Sequence, residues 1–171
     1  MKDMLQRAFE RSVRNCFGDL ATKLGLRLAV LPDGTFEIES AQFCMRIRAS
    51  SGHVSDRVDL LVTLVPVEER FAKFGVEDGE ISLGRIMDYY GDGLNASPVS
   101  SAERLQAEIK RQAQLALKYG APFLSGSSRD WSNIEKYVEQ KIVEAGIPGL
   151  KFDLPKVVRE EWQIEVEEDG G

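Results

Sequence analysis

The chain carries one histidine, His53, in the stretch SSGHVSD between two β-like runs. Any imidazole general base has to be this residue. Ser51 and Ser55 lie beside it, but a serine nucleophile is presented on a sharp turn such as Gly-x-Ser-x-Gly, and no such segment occurs. His53 reads as a solvated loop side chain. The two cysteines, Cys16 and Cys44, fall within a helical and a strand pattern and read as buried, reduced thiols. With no Cys-x-x-Cys pair and no second histidine, the sequence offers no zinc set. Asp88, Asp92 and Asn95 in DYYGDGLNAS lack the alternating oxygens and closing glutamate of a calcium loop. A Gly-x-x-x-x-Gly-Lys-Ser/Thr phosphate cradle is also missing. The paired acids Glu68-Glu69, Glu77-Asp78, Glu160-Glu161 and Glu167-Glu168 read as solvated, because nothing in the pattern brings two of them into a cleft. No catalytic residue, cofactor-binding residue or metal ligand is assigned, and no cofactor is expected.

The segment that looks most like a site is YGAPFLSGSSRDW, residues 119–131. Each residue has a structural task in a joint between two helices. Gly120 suits a C-cap, Pro122 stops the first helix, and Ser128 can cap the second. The functional alternative makes Arg129, Asp130 and Trp131 part of a contact surface, with Tyr89 and Tyr90 on the preceding short helix as neighbours. Tyr, Trp and Arg are the types enriched at interface hot spots.

The elements that would position these residues follow from periodicity. Leu5, Phe9, Val13, Cys16, Leu20 and Leu24 recur at helical spacing over residues 2–24, with Gly18 as an interruption and Gly25 as the end. In LRLAVLPDGTFEIES, a type I turn with Gly34 in the left-handed region puts Leu31 opposite Thr35 and gathers Leu28, Val30, Phe36 and Ile38 on one face. FCMRIR alternates, and a tight turn near Ala41 sets Glu37 opposite Arg46 and Ile38 opposite Met45. RVDLLVTLVP supplies a further strand with Val58, Leu60, Val62 and Leu64 inward. Ser82 caps a short helix ending at Gly91, and Ser100 or Ser101 opens a long one to about Tyr119. That helix has the stripe Ala102, Leu105, Ile109, Ala113, Ala116 and Leu117. Trp131, Ile134, Val138, Ile142 and Ala145 mark the last helix. Trp162, Ile164 and Val166 alternate in a late strand or arm. The fold expected is α+β: an antiparallel four- to five-stranded meander sheet with helices packed on one face. It forms a single globular domain over 1–171 with an acidic tail at about 167–171.

Composition narrows the function. The 171 residues carry a net charge of −6, with 43% hydrophobic and 29% charged residues, an ordinary globular mix that disfavours phosphate-driven nucleic-acid binding. No run approaches a membrane span, and the N-terminal segment has no secretory-type apolar run, so a cytoplasmic location is expected. The β-meander around FEIES and FCMRIR, the segment AERLQAEIKRQAQLALKYGAPFLSG and DWSNIEKYVEQKI together resemble small bacterial α+β domains of unknown function, among them immunity proteins of polymorphic toxin systems. That resemblance implies a cytoplasmic, non-enzymatic binding protein whose partner is another protein, such as a basic toxin domain, acting as a monomer or homodimer. The alternatives are a small enzyme built on His53, Cys44 or a buried carboxylate, and a homo-oligomer pairing through its sheet.

Overall fold

The computed structural model describes residues 2–51, 58–69, 79–92 and 102–145. His53 and the expected late strand lie outside these residues. The leading helix, α1 (Lys2–Lys23), buries Leu5, Phe9, Val13, Phe17, Leu20 and Ala21. Phe17 displaces Cys16 from the expected stripe, and Cys16 is only half-buried. Both positions border the same face, and the larger apolar ring removes more surface from water. Gly18 does not interrupt the helix. It ends where expected, with Gly25 at φ 70° and hydrogen bonds from Gly25 N to Thr22 O (3.0 Å) and Leu26 N to Ala21 O (2.8 Å).

Five strands follow, all antiparallel and in sequence order: β1 (Leu28–Val30), β2 (Phe36–Glu39), β3 (Phe43–Ser51), β4 (Val58–Pro66) and β5 (Ile81–Ser82). The first hairpin is the bulged turn the residues demand. Gly34 has φ 91°, its N–H meets Leu31 O at 2.9 Å, and Leu31 N donates to Thr35 O at 2.7 Å. Asp33 Oδ1 accepts from Thr35 N at 2.9 Å, a bond that holds the Asp33 carboxyl below the usual carboxylate range. The resulting register sets Val30 opposite Phe36, Glu37 opposite Arg46 and Ile38 opposite Met45. Short β5 escapes pattern reading because two residues carry no period.

One sheet face is apolar throughout. Across the strands run the rows Phe36–Ile47–Val62 and Ile38–Met45–Leu64–Ile81, every side chain buried. Helices cover this face: Phe9 of α1 meets Phe36 edge-on, with ring centroids 5.9 Å apart. Next come α2 (Leu83–Tyr89), α3 (Ala102–Leu115), a π-helical turn (Ala116–Gly120) and α4 (Ala121–Leu124). Gly120 corrects the sequence reading: it is not a C-cap but a right-handed residue (φ −97°, ψ −37°) inside a continuing helical path. A Cβ there would sit 2.5 Å from Met45 Cε and 3.3 Å from Leu64 Cδ1, so glycine is what lets the backbone touch the sheet. The contact stripe accordingly runs through Ala113, Ala116 and Gly120, whereas Leu117, expected inside, is 42% exposed. Pro122 starts α4 rather than stopping the chain. The helical path ends at Gly126 (φ 81°), whose neighbour Ser127 N bonds Pro122 O at 2.9 Å.

The other sheet face was expected to lie in water. Ala29, Glu39 and Leu61 at its margins do, but its centre does not. Glu37, Thr63, Cys44 and Val65 are buried there. Arg46 Nε bonds Glu37 Oε2 at 3.0 Å, as its opposition predicts. Glu80, just before β5, closes the group: its Oε2 accepts from Arg48 Nη2 at 2.8 Å and from Thr63 Oγ1, with Arg46 Nη1 at 3.9 Å. Two guanidiniums and two carboxylates thus pair on a face the alternating pattern assigns to solvent.

The chain comprises two compact units, Met1–Trp131 and Ser132–Gly171. In the second, the described residues belong to α5 (Trp131–Ala145), where Ile134 is buried and Val138 and Ile142 are half-buried. Among the described residues no helix is long and apolar enough to cross a membrane.

The packing and the ion pairs lead to three stability predictions. Gly120→Ala forces the enclosed Met45 methyl aside and is expected to destabilise by about 1–2 kcal/mol in urea unfolding. Gly18→Ala, with nothing within 4 Å, is expected to stabilise by roughly 0.5–1 kcal/mol. Glu80→Ala strands Arg48 and is expected to cost about 3 kcal/mol or more. In an Arg48→Met background the same change costs clearly less, and a double-mutant cycle showing no coupling would refute the ion pair's role.

Candidate functional site

Helix α2 starts on Ser82, whose Oγ accepts from Arg85 N at 3.2 Å, and turns Leu83, Ile86 and Met87 into the core. With that face spent, its last residues carry the remaining bulk outward: Tyr89 is half-buried and Tyr90 is 41% exposed. Gly91 at φ 87° closes the helix, with Asp92 N bonded to Met87 O at 2.9 Å, and this reversal delivers the Asp92 carboxylate beside the same corner. The π-helical turn contributes Tyr119 directly before the wedged Gly120. Tyr119 is largely buried, and its hydroxyl donates to Asp92 Oδ2. From the connection before α5 comes Asp130, whose Oδ2 accepts the Tyr90 hydroxyl at 2.8 Å. Ser128 Oγ accepts from Asp130 N at 3.3 Å and holds that loop.

Three phenol rings are thereby gathered. Tyr89 and Tyr90 stand nearly perpendicular, with centroids 5.0 Å apart at 80°, and Tyr119 lies 6.1 Å from Tyr90 at 30°. Lys118 Nζ already sits 5.0 Å from the Tyr119 ring centroid. Its hydrogen bond and charge interaction with Tyr119, and then Asp92, hold this ammonium above its ordinary range. Burial, the hydrogen bond to Asp130 and that carboxylate's charge push the Tyr90 phenol up, against a smaller opposing pull from Ser128. Each aspartate spends one oxygen on a tyrosine; Oδ1 of Asp92 and Oδ1 of Asp130 accept no hydrogen bond among the described residues.

Of the five residues singled out from the sequence, Tyr89, Tyr90 and Asp130 meet. Trp131 is 9% exposed and lies inside the joint, edge-on to Phe43 at 4.9 Å and to Phe123 at 5.5 Å. It anchors the loop that presents Asp130. Arg129 is exposed and makes no ion pair among the described residues. Asp92, Tyr119 and Lys118 were missed as site residues. The sequence presents Asp92 as a calcium-ligand candidate and Tyr119 as the end of a helix. A signal was present in the spacing: YYGD and KYG each set a tyrosine directly before a glycine, Gly91 at a left-handed turn and Gly120 pressed on the sheet.

The two cysteines lie away from this corner. Cys44 is fully enclosed. Cys16 borders an open groove of about 220 Å³ with Asp19, Lys23, Lys110 and Leu117, where burial and then the Asp19 charge push its thiol up, away from the reactive thiolate.

The raised Tyr90 phenol has a signed consequence. Its folded-state value lies above that of the unfolded chain, so the stability it contributes is complete below the ordinary tyrosine value near 10 and is lost as pH rises through the folded value. An ultraviolet titration of phenolate absorbance should show a late-ionising tyrosine that Tyr90→Phe removes and that Asp130→Asn brings part of the way down, since burial, the larger cause, remains. An unchanged alkaline profile in both variants would exclude the bond.

Compared with known proteins, the chain matches no family, no curated protein and no solved structure.

Proposed function

We propose that this chain is a non-enzymatic protein-binding domain of the inhibitory, immunity type, acting in the cytoplasm on a basic partner protein such as a toxin domain, with the tyrosine corner as its contact surface. The observation that carries this reading is the set of three tyrosines gathered at one edge, two of them, Tyr90 and Tyr119, held by hydroxyl bonds to Asp130 and Asp92. Tyrosine offers a large amphipathic contact area with few torsions to freeze, which suits a recognition surface better than a packing role. A tyrosine with only a packing role would have its ring enclosed, whereas Tyr90 is 41% exposed. The net charge of −6 favours encounter with a basic surface and speeds association more than it deepens affinity.

A pull-down from native host extract, run at low and moderate salt with wild type, Tyr90→Ala and Asp130→Ala, tests the reading. The expected result is a protein retained by wild type, lost by about tenfold or more with Tyr90→Ala, and weakened as salt screens the acidic edge. Recovery of no protein at either salt, or of one indifferent to both substitutions, would overturn it.

A further inference from the structure

Resting on the protein-binding reading, we propose that the corner is a receptor for an arginine side chain of the partner, with the guanidinium stacked on the Tyr90 ring and donating to Asp130 Oδ1. Three observations converge. The Tyr89–Tyr90 pair makes two nearly perpendicular aromatic walls, and Tyr90 keeps 41% of its surface in solvent. Ring faces carry negative potential and attract cations. Asp130 stands at the hydroxyl end of that ring with one oxygen already committed to the tyrosine and the other accepting nothing among the described residues. A planar cation lying on the ring therefore meets a carboxylate at its edge.

The third observation is internal. Lys118 has already placed its ammonium over Tyr119, and Asp92 lies on the same phenol. One ring–carboxylate pair of this corner thus holds a cation of the chain itself, and the second pair, Tyr90 with Asp130, repeats the arrangement without one among the described residues. Arginine is favoured over lysine because its flat, weakly hydrated fork stacks and donates in the same plane, while an ammonium is a compact, strongly hydrated point charge. The exposed Arg129 adds like charge next to Asp130, so affinity for a single side chain is modest and the wider interface supplies the rest.

The test uses the full chain with three capped tripeptides as probes: Gly-Arg-Gly, Gly-Lys-Gly and Gly-citrulline-Gly, the last a neutral isostere of arginine. Tyrosine-ring resonances are followed by NMR during titration. The arginine probe is expected to shift Tyr90 and Tyr89 and to bind about three- to fivefold more tightly than citrulline. Asp130→Asn, which keeps the acceptor for the Tyr90 hydroxyl but removes the charge, should bring arginine down to the citrulline level, as should Tyr90→Ala. Parity of arginine and citrulline on wild type, or binding unmoved by Asp130→Asn, overturns the proposal. If parity is found while a host protein is still captured through Tyr90, the arginine receptor fails and the protein-binding reading stands. If arginine binds as expected and no host protein is captured, the receptor stands and that reading fails.

Discussion

The contact on which most of this architecture depends is that of the Gly120 backbone with the sheet. Met45 of β3, Leu64 of β4 and Leu83 of α2 all lie within van der Waals reach of the point where its side chain would begin. Three elements therefore converge on one residue with no side chain. Ala113 and Ala116 precede it on the same stripe, so the helix comes down onto the apolar rows gradually, through small residues, and touches where the residue is smallest. Close packing of this kind leaves few alternative arrangements, because interiors are as dense as organic crystals. Tyr119 is next in the chain and so has its position fixed by the same contact. Its hydroxyl then reaches Asp92, at the far end of the helix that Leu83 starts. The geometry of the tyrosine corner is in this sense set from the core outward.

Much of the sheet was legible before any coordinate, for a reason that particular residues make clear. Pro32-Asp33-Gly34 admits two loop lengths, and only the bulged one keeps Leu28, Val30, Phe36 and Ile38 on a common face, which is the register found. The same logic carried through Glu37 with Arg46 and Ile38 with Met45. Periodicity served less well where residues of unequal size compete for one place. Cys16 and Phe17 both border the apolar face of α1, and the wheel cannot say which goes in; area decides for Phe17. Gly120 was misread because glycine before proline is the usual mark of a helix end. The alternative cause, a backbone pressed on another element, has no local signature. Of the corner, Tyr89, Tyr90 and Asp130 were legible by residue type, while Asp92, Tyr119 and Lys118 depend on where a π-helical turn and a left-handed glycine throw them.

The second sheet face shows a different limit of pattern reading. Alternation assigns Glu37, Arg46, Arg48 and Thr63 to water, and polar residues do occupy those positions, yet Glu37 and Thr63 are buried. Burying charges gives little net stability, since desolvation consumes most of the Coulombic gain. What the arrangement provides is selectivity among registers. Glu37, Arg46 and Thr63 lie in one cross-strand row, and Glu80 satisfies Arg48 and Thr63 together from the chain before β5. A slip of one residue would set hydrocarbon against these groups and strand each of them. The apolar face drives association of the sheet with its helices; the charged face penalises every misalignment of it.

The tyrosine corner departs from both faces in using aromatic rings with their polar ends tied to anions. A phenol that donates to a carboxylate is polarised by it, and the ring gains electron density at its face. That makes the face a better seat for a cation than the ring of an unbonded phenylalanine would be. The position of Lys118 over Tyr119, whose hydroxyl is on Asp92, fits this logic. Burial, and then the bond to Asp130 that orients the ring, oppose loss of the Tyr90 phenolic proton. A neutral, oriented and polarised ring at an exposed edge carries attraction for positive charge without itself carrying a charge that must be stripped of water on contact. Two hydrogen bonds, each modest in net worth, thus confer on this edge a preference for cations that neither the aspartates nor the rings would have alone.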